Sequence, residues 1–184
     1  MQKVIIVRFA EVHLKGKNRG LFIKCLFENI KDNLSHFSAR VDMIFNRFVV
    51  SGFNSNDDAE IVRVLKYTPG VSSLSHATMI DTSAVGITNF VAEMKIEGSF
   101  KVEVNRADKS FPIHSNDFCV DLGEIILKHN PNATVKMKGA DTIVKIDIRE
   151  DGVTFIYTED IEAVGGLPLE KKTNGLLLLS GGID

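Results

Sequence analysis

The first eighty residues switch back and forth between two hydrophobic periods, and that alternation leaves few folds open. Val4-Ile5-Ile6-Val7 is a short β-branched run of strand type. Residues 21–34 then repeat apolar side chains at helical spacing, with Phe22, Leu26 and Ile30 on one row and Ile23, Phe27 and Leu34 beside it. Asn18 or Gly20 would open that helix. Val41, Met43 and Phe45 alternate with polar residues, and Phe48-Val49-Val50 resumes after Asn46-Arg47, which predicts a hairpin. Ser55 and Asp58 form a capping pattern before a short helix through Ile61, Val62 and Leu65, stopped by Pro69-Gly70. Leu74–Ile80 is the next strand. The order β-α-β-β-α-β is a split βαβ or ferredoxin-like unit, expected over residues 1–80.

Residues 81–160 follow a different order. Asp81-Thr82-Ser83 offers a cap for a helix with Ile87, Phe90, Val91 and Met94 on its apolar side, and Gly98 stops it. Phe100, Val102 and Val104 alternate with Lys101, Glu103 and Asn105, the pattern of a half-buried strand. Ser115 or Asp117 would cap the next helix, which carries Phe118, Leu122, Ile125 and Ile126 and ends at Asn130-Pro131. Three strands follow: Val135–Lys138, Thr142–Ile148 and Val153–Thr158, the last two joined by an Asp151-Gly152 turn. This second unit is α-β-α-β-β-β. Residues 161–174, acidic and then rich in Gly and Pro, have the composition of a linker. Residues 175–184 run four leucines into Ser180-Gly181-Gly182-Ile183-Asp184. That is either a buried strand with a glycine turn whose N–H groups nest an anion, or a hydrophobic tail ending in a turn.

Bulk composition excludes more than it selects. The chain has 184 residues, 44% hydrophobic and 25% charged, with a formal net charge of −2. Any nucleic-acid site must therefore be a local basic patch. Cys25 and Cys119 lie far apart in helical patterns, which favours buried free thiols and a reducing compartment over a disulfide or a metal site. His13, His36, His76, His114 and His129 show no ligand spacing, so no metal is expected. There is no signal-type apolar core and no run of about 18 apolar residues, so no membrane role is expected and the cytoplasm is the default. Residues 1–160 contain no arrangement of Ser, His, Asp or Cys that suggests catalysis.

Three basic elements stand out. Lys15-Gly16-Lys17-Asn18-Arg19 sits before a helix start, where free N–H groups and the helix dipole favour an anion. It is either a phosphate-binding loop or a solvated turn. Arg106–Pro112 combines Arg106 and Lys109 with Phe111 and Pro112; Phe111 either offers a base a stacking face or packs back into the core. Lys136 and Lys138 share a face if Val135 and Met137 point inward, extending a basic stripe toward the Arg106 loop or simply forming the polar side of a strand. On the strand before that loop, Lys101 is diluted by Glu103.

The segment from Val7 through Glu11-Val12-His13-Leu14-Lys15-Gly16-Lys17-Asn18-Arg19 resembles the opening of the bacterial tRNA 4-thiouridine synthetases, or tRNA sulfurtransferases. Lys101 to Pro112 looks like the RNA-binding loop of their THUMP domain. Glu162-Ala163-Val164-Gly165-Gly166-Leu167-Pro168 matches their linker, and Leu176 to Asp184 is similar to the start of their PP-loop ATP-pyrophosphatase domain. The resemblance implies an α+β chain: a ferredoxin-like domain over 1–80, a THUMP domain over 81–160, a linker over 161–174 and the first strand of a truncated PP-loop domain over 175–184. By the same resemblance Lys15, Lys17, Asn18 and Arg19 would contact the tRNA body. Lys101, Arg106, Lys109, Phe111, Pro112, Lys136 and Lys138 would serve RNA binding toward the acceptor end. Leu178, Leu179, Ser180, Gly181, Gly182 and Asp184 would begin an incomplete ATP site. The family uses ATP and Mg²⁺ to adenylate a uridine, takes sulfur from a cysteine desulfurase, and in several bacteria also feeds thiamine thiazole synthesis. The implied partners are tRNA and the desulfurase, with a homodimer left open. The catalytic cysteines of the family fall outside this chain, so the expected role here is tRNA docking without turnover or bound ATP. The alternative is a non-catalytic RNA-binding or adaptor module.

Overall fold

A computed structural model of the chain describes residues 1–9, 18–44 and 46–170. The elements in order are β1 (Gln2–Arg8), α1 (Arg19–Asn33), β2 (Arg40–Ile44), β3 (Arg47–Ser51), α2 (Asp58–Lys66), β4 (Ser73–Asp81), α3 (Ala84–Ala92), β5 (Ser99–Arg106), α4 (Ser115–His129), β6 (Thr134–Val135), β7 (Thr142–Ile148), β8 (Val153–Tyr157) and β9 (Ile161–Glu162). Both expected element orders are present. Their strands, however, form one nine-stranded sheet in the order β2-β3-β1-β4-β8-β7-β5-β6, with β9 beside β4.

β4 is the seam. One edge pairs antiparallel with β1 from Gln2↔Met79 to Arg8↔Ser73. Its other edge takes β8 over Thr78–Asp81 and β9 at Ser73 and Leu74. Residues 161–174, expected to be a linker, thus begin inside the sheet. Beyond β9, residues 163–170 continue as a strap over the first unit. Gly70 N–H donates to the Gly165 carbonyl and Gly165 N–H to that of Val71, both at 2.7 Å. Gly70 has a φ of +100°, and a Cβ there would lie 3.0 Å from Leu26 Cδ1 and 3.1 Å from Pro168 N, so the strap needs glycine at this point. Asn29 Nδ2 clasps the Leu169 carbonyl at 2.9 Å.

Strand alternation sorts side chains to two faces. On one, Ile5, Val7, Phe48, Val50 and Leu74 meet Leu26 and Ile30 of α1 and Ile61 and Leu65 of α2. Farther along the same face, Phe100, Val144, Ile146 and Ile148 meet Ile87 and Val91 of α3 and Phe118, Leu122 and Ile126 of α4. Ser83 caps α3 as expected, accepting from Gly86 N–H at 2.9 Å. Neither Ser115 nor Asp117 caps α4; His114 occupies the N-cap, without a side-chain bond. Asn130 ends α4 and braces it to the segment that follows α3, accepting from Ile96 N–H and donating to the Met94 carbonyl, both at 3.0 Å.

Among the described residues no helix covers the opposite face, yet Val4, Ile6, Val49, Ala77 and Phe155 are buried there. The sheet closes this face by curling. Arg47 on β3 reaches Asp147 on β7, four strands away in the sheet order. In a flat sheet those strands would stand about 19 Å apart, beyond the reach of an arginine side chain.

Candidate nucleic-acid interface

The loop after β5 is built from its first residue. Arg106 Nη1 donates to the carbonyls of Phe111 at 2.8 Å and Ile113 at 3.2 Å. Ala107 N–H is held by the Ile148 carbonyl at 3.0 Å. Asp108 Oδ1 accepts from the Ser110 hydroxyl at 2.6 Å and its N–H at 2.7 Å. Those bonds, the hydroxyl first, hold the Asp108 carboxyl below its ordinary range. Phe111 is only 5% exposed, with its ring 5.4 Å from that of Phe118. Of the two placements open to Phe111, the structure shows the one packed back into the core, where the ring anchors the loop. Arg106 serves from inside, tying the loop's carbonyls. What the loop turns outward is Lys109 and Pro112, followed by exposed His114 at the start of α4.

Lys136 and Lys138 do not extend this surface. β6 stops at Val135, and Val135 and Met137 are exposed rather than turned inward. The segment lies at the other end of β5, where Lys136 N–H bonds the Phe100 carbonyl at 2.9 Å. Phe100 and Arg106 are six residues apart on an extended strand, about 20 Å. The expected stripe is therefore two separate places, since among the described residues the apolar side chains of 135–138 find no covering layer. Lys101 pairs with Glu103 at 2.5 Å. Asn18 is the exposed N-cap of α1, and Arg19 Nη2 donates to Asn46 Oδ1 at 2.7 Å, tying that helix to the β2–β3 turn. Asn46 itself takes a φ of +58°, as such a turn requires. Lys15 and Lys17 lie outside the described residues, as do Leu178, Leu179, Ser180, Gly181, Gly182 and Asp184 of the expected ATP site.

Sequence reasoning missed the densest group of charges, on the curled face. Asp147 is paired with Arg47 and with Arg149 Nη2 at 2.6 Å, and accepts from Asn105 Nδ2 at 3.0 Å. Arg8 lies 3.2 Å from Asp160, bonds Ser75 Oγ at 2.9 Å and stacks 4.9 Å from the Tyr157 ring centre. Lys145 pairs with Asp160 as well. Burial pushes the Asp160 carboxyl up, but hydrogen bonds from Lys145 and Ser75 outweigh it and hold the group below its usual range. Arg8 Nη2 and Arg149 Nε are buried and make no hydrogen bond among the described residues. The available signal was Asp147 itself, a carboxylate between Ile146 and Ile148 in the middle of an apolar strand. Cys25 and Cys119 are half-buried and joined in no disulfide among the described residues, and burial raises the Cys119 thiol. Among the described residues no cluster of His, Cys, Asp and Glu could hold a metal, and no helix is long and apolar enough to cross a membrane.

With this geometry in hand, comparison with known proteins is specific. The family model for the ThiI ferredoxin-like domain matches residues 4–75, and that for the THUMP domain matches residues 85–159. A probable tRNA sulfurtransferase of Acholeplasma laidlawii is 31% identical over 189 residues, covering 100% of this chain and 45% of that protein. A 4-thiouridine synthetase solved as an RNA complex with bound ATP is 27% identical with a TM-score of 0.80, over 99% of this chain and 47% of that one. A Pyrococcus horikoshii protein of known structure is 30% identical with a TM-score of 0.78, over 91% of this chain and 57% of that one. The chain spans about half the length of the curated relatives it matches.

Proposed function

The chain carries the ThiI ferredoxin-like and THUMP domains of the tRNA sulfurtransferase family, and on that premise we propose that it docks tRNA by the acceptor end for a 4-thiouridine synthetase. The observation that carries this reading is the likeness, over 99% of the chain, to a 4-thiouridine synthetase crystallised with RNA. The loop geometry supports it. Arg106 and buried Phe111 fix the loop, so Lys109 is presented beside the first turn of α4 without further ordering. Arg106 and Phe111 are then positioning residues, and Lys109, Pro112 and His114 the contact rim. Lys15, Lys17, Asn18 and Arg19 would meet the tRNA body. In the whole protein, ATP with Mg²⁺ would activate a uridine, and a persulfide passed on by a cysteine desulfurase would supply the sulfur. Service to thiamine synthesis and a cytoplasmic location belong to the same proposal.

The test is a gel-shift series at low salt. The chain should prefer tRNA with an intact acceptor end over random RNA of equal length, with affinity falling steeply as salt rises. Lys109→Ala should weaken tRNA binding severalfold and flatten the salt dependence by about one unit of slope. Equal binding to both RNAs would remove the docking role.

A further inference from the structure

Among the described residues, the helix-bearing face of the sheet is not fully covered. α2 closes it on one side and α3 on the other, and between them a cleft of about 470 Å³ stands open over β1, β4 and β8. Its floor departs from the rest of that face, which is built mainly from Ile, Val, Leu and Phe. Register sets Lys3 opposite Thr78, and Thr78 opposite Ile156, in one row across three strands. The adjoining row holds His76, opposite Ile5, and Thr158 also lines the cleft. Polar side chains at core-facing strand positions run against the binary pattern of a sheet, and such departures concentrate at functional sites. The walls are apolar and come from both units: Phe53 from the first, Phe90 and Met94 from the second, each half-buried.

We propose that this cleft binds an unstacked nucleobase, carried by a free nucleoside monophosphate or by an RNA strand. A base has two apolar faces and a polar edge, which is the distribution that Phe53, Phe90 and Met94 above a hydroxyl-bearing floor accept. The polar edge of the cleft is already formed. His76 Nε2 lies 3.0 Å from Asp58 Oδ2, and its Nδ1 lies 2.8 Å from Glu159 Oε1, so both carboxylates are held in place. Lys3 and His76 stand against Asp58 and Glu159, so the cleft has no unopposed cluster of positive charge and suits a flat amphipathic ring better than a bare anion. Exposed Lys3 stands at one end of the floor row, where a phosphate attached to that ring would find it. The choice of a base among flat amphipathic ligands rests on the RNA-docking reading above; the built cleft does not.

The experiment follows backbone amides by NMR as AMP, GMP, CMP or UMP is added to about 10 mM, the range where a single small ring is held weakly. A short single-stranded RNA and its abasic counterpart are titrated in parallel. Amides of Lys3, Thr78, Phe90 and Thr158 should shift together with at least one monophosphate. Thr78→Phe, which fills the cleft from its floor, and Thr158→Phe, at an exposed position, should each weaken that response at least about tenfold while the remaining spectrum is kept. If RNA is the source, the intact strand gives the same shifts and the abasic strand does not; if a free nucleotide is the source, only the monophosphate does. Absence of shifts at these amides with every probe overturns the proposal, as do shifts that survive both variants. tRNA binding that is equal in wild type and Thr78→Phe, with silent monophosphates, removes the cleft and leaves docking intact. Monophosphate shifts without any tRNA binding remove docking and leave the cleft.

Discussion

Ile146 and Asp147 are neighbours on β7 and point to opposite faces of one sheet. Ile146 enters a layer of helix side chains, where its surroundings are many, apolar and interchangeable. Asp147 enters a face closed by the sheet's own curl, where its partners are Arg47, Arg149 and Asn105 and each has one position. Closure by helices spreads stabilisation over many weak contacts. Closure by curling concentrates it in a few charged groups that span distant strands. The second arrangement is less forgiving, because each group removed leaves another buried without a partner.

The largest test of that contrast is Asp147→Ala. Its side chain is 3% exposed between two guanidinium groups that are themselves mostly buried. Urea unfolding should show a loss of about 3–5 kcal/mol, the cost of breaking one side of a buried pair. Replacing the whole group, as Arg47→Met with Asp147→Leu and Arg149→Met, should cost less than Asp147→Ala alone. A larger loss for the triple variant would mean the charges drive the curl rather than merely fill it. On the helix side, Ile146→Val should cost only about 1 kcal/mol, the lost methylene and a small cavity. A loss at Ile146 equal to that at Asp147 would erase the distinction between the faces.

The smallest effect comes from His76, an ionisable group on the helix face. Burial lowers its affinity for a proton, but Glu159 and Asp58 more than offset this and raise its pKa above the ordinary 6.5. A raised histidine stabilises the fold most below that ordinary value and loses its contribution as pH rises through the folded value. Thermal melts of wild type and His76→Asn should therefore differ most below the ordinary histidine value of 6.5 and converge as pH rises above it. The difference should stay below about 1 kcal/mol, since the group is partly exposed. A gap that widens with pH would reverse the assignment.

Much of this architecture is legible in the sequence. Helical spacing in 21–34, the alternation around Asn46-Arg47 and the serine cap of α3 are local signals, and the element orders of both units follow from them. The joining of the units is not local. β4 pairs with β8 across more than seventy residues, and nothing in 73–81 says that its second edge will be occupied by 153–156 rather than by solvent. The same limit governs the site. Whether Phe111 faces out depends on Phe118 and on the carbonyls Arg106 can reach, and whether 135–138 forms a strand depends on a covering layer that is not found among the described residues. The cluster around Asp147 was harder still, since Arg8, Arg47 and Asp147 are far apart in sequence and look like polar strand ends until the curl unites them.

The seam at β4 also bears on synthesis. The chain emerges from its N-terminus, so β4 is complete long before residues 153–157 exist to pair with it. Until then one edge of β4 is an open template, and Val4, Ile6, Val49 and Ala77 lack Phe155 above them. A chain cut between the two units would present the same sticky edge permanently. The two matched domains are separable by name, but as polypeptides each half is an aggregation hazard without the other.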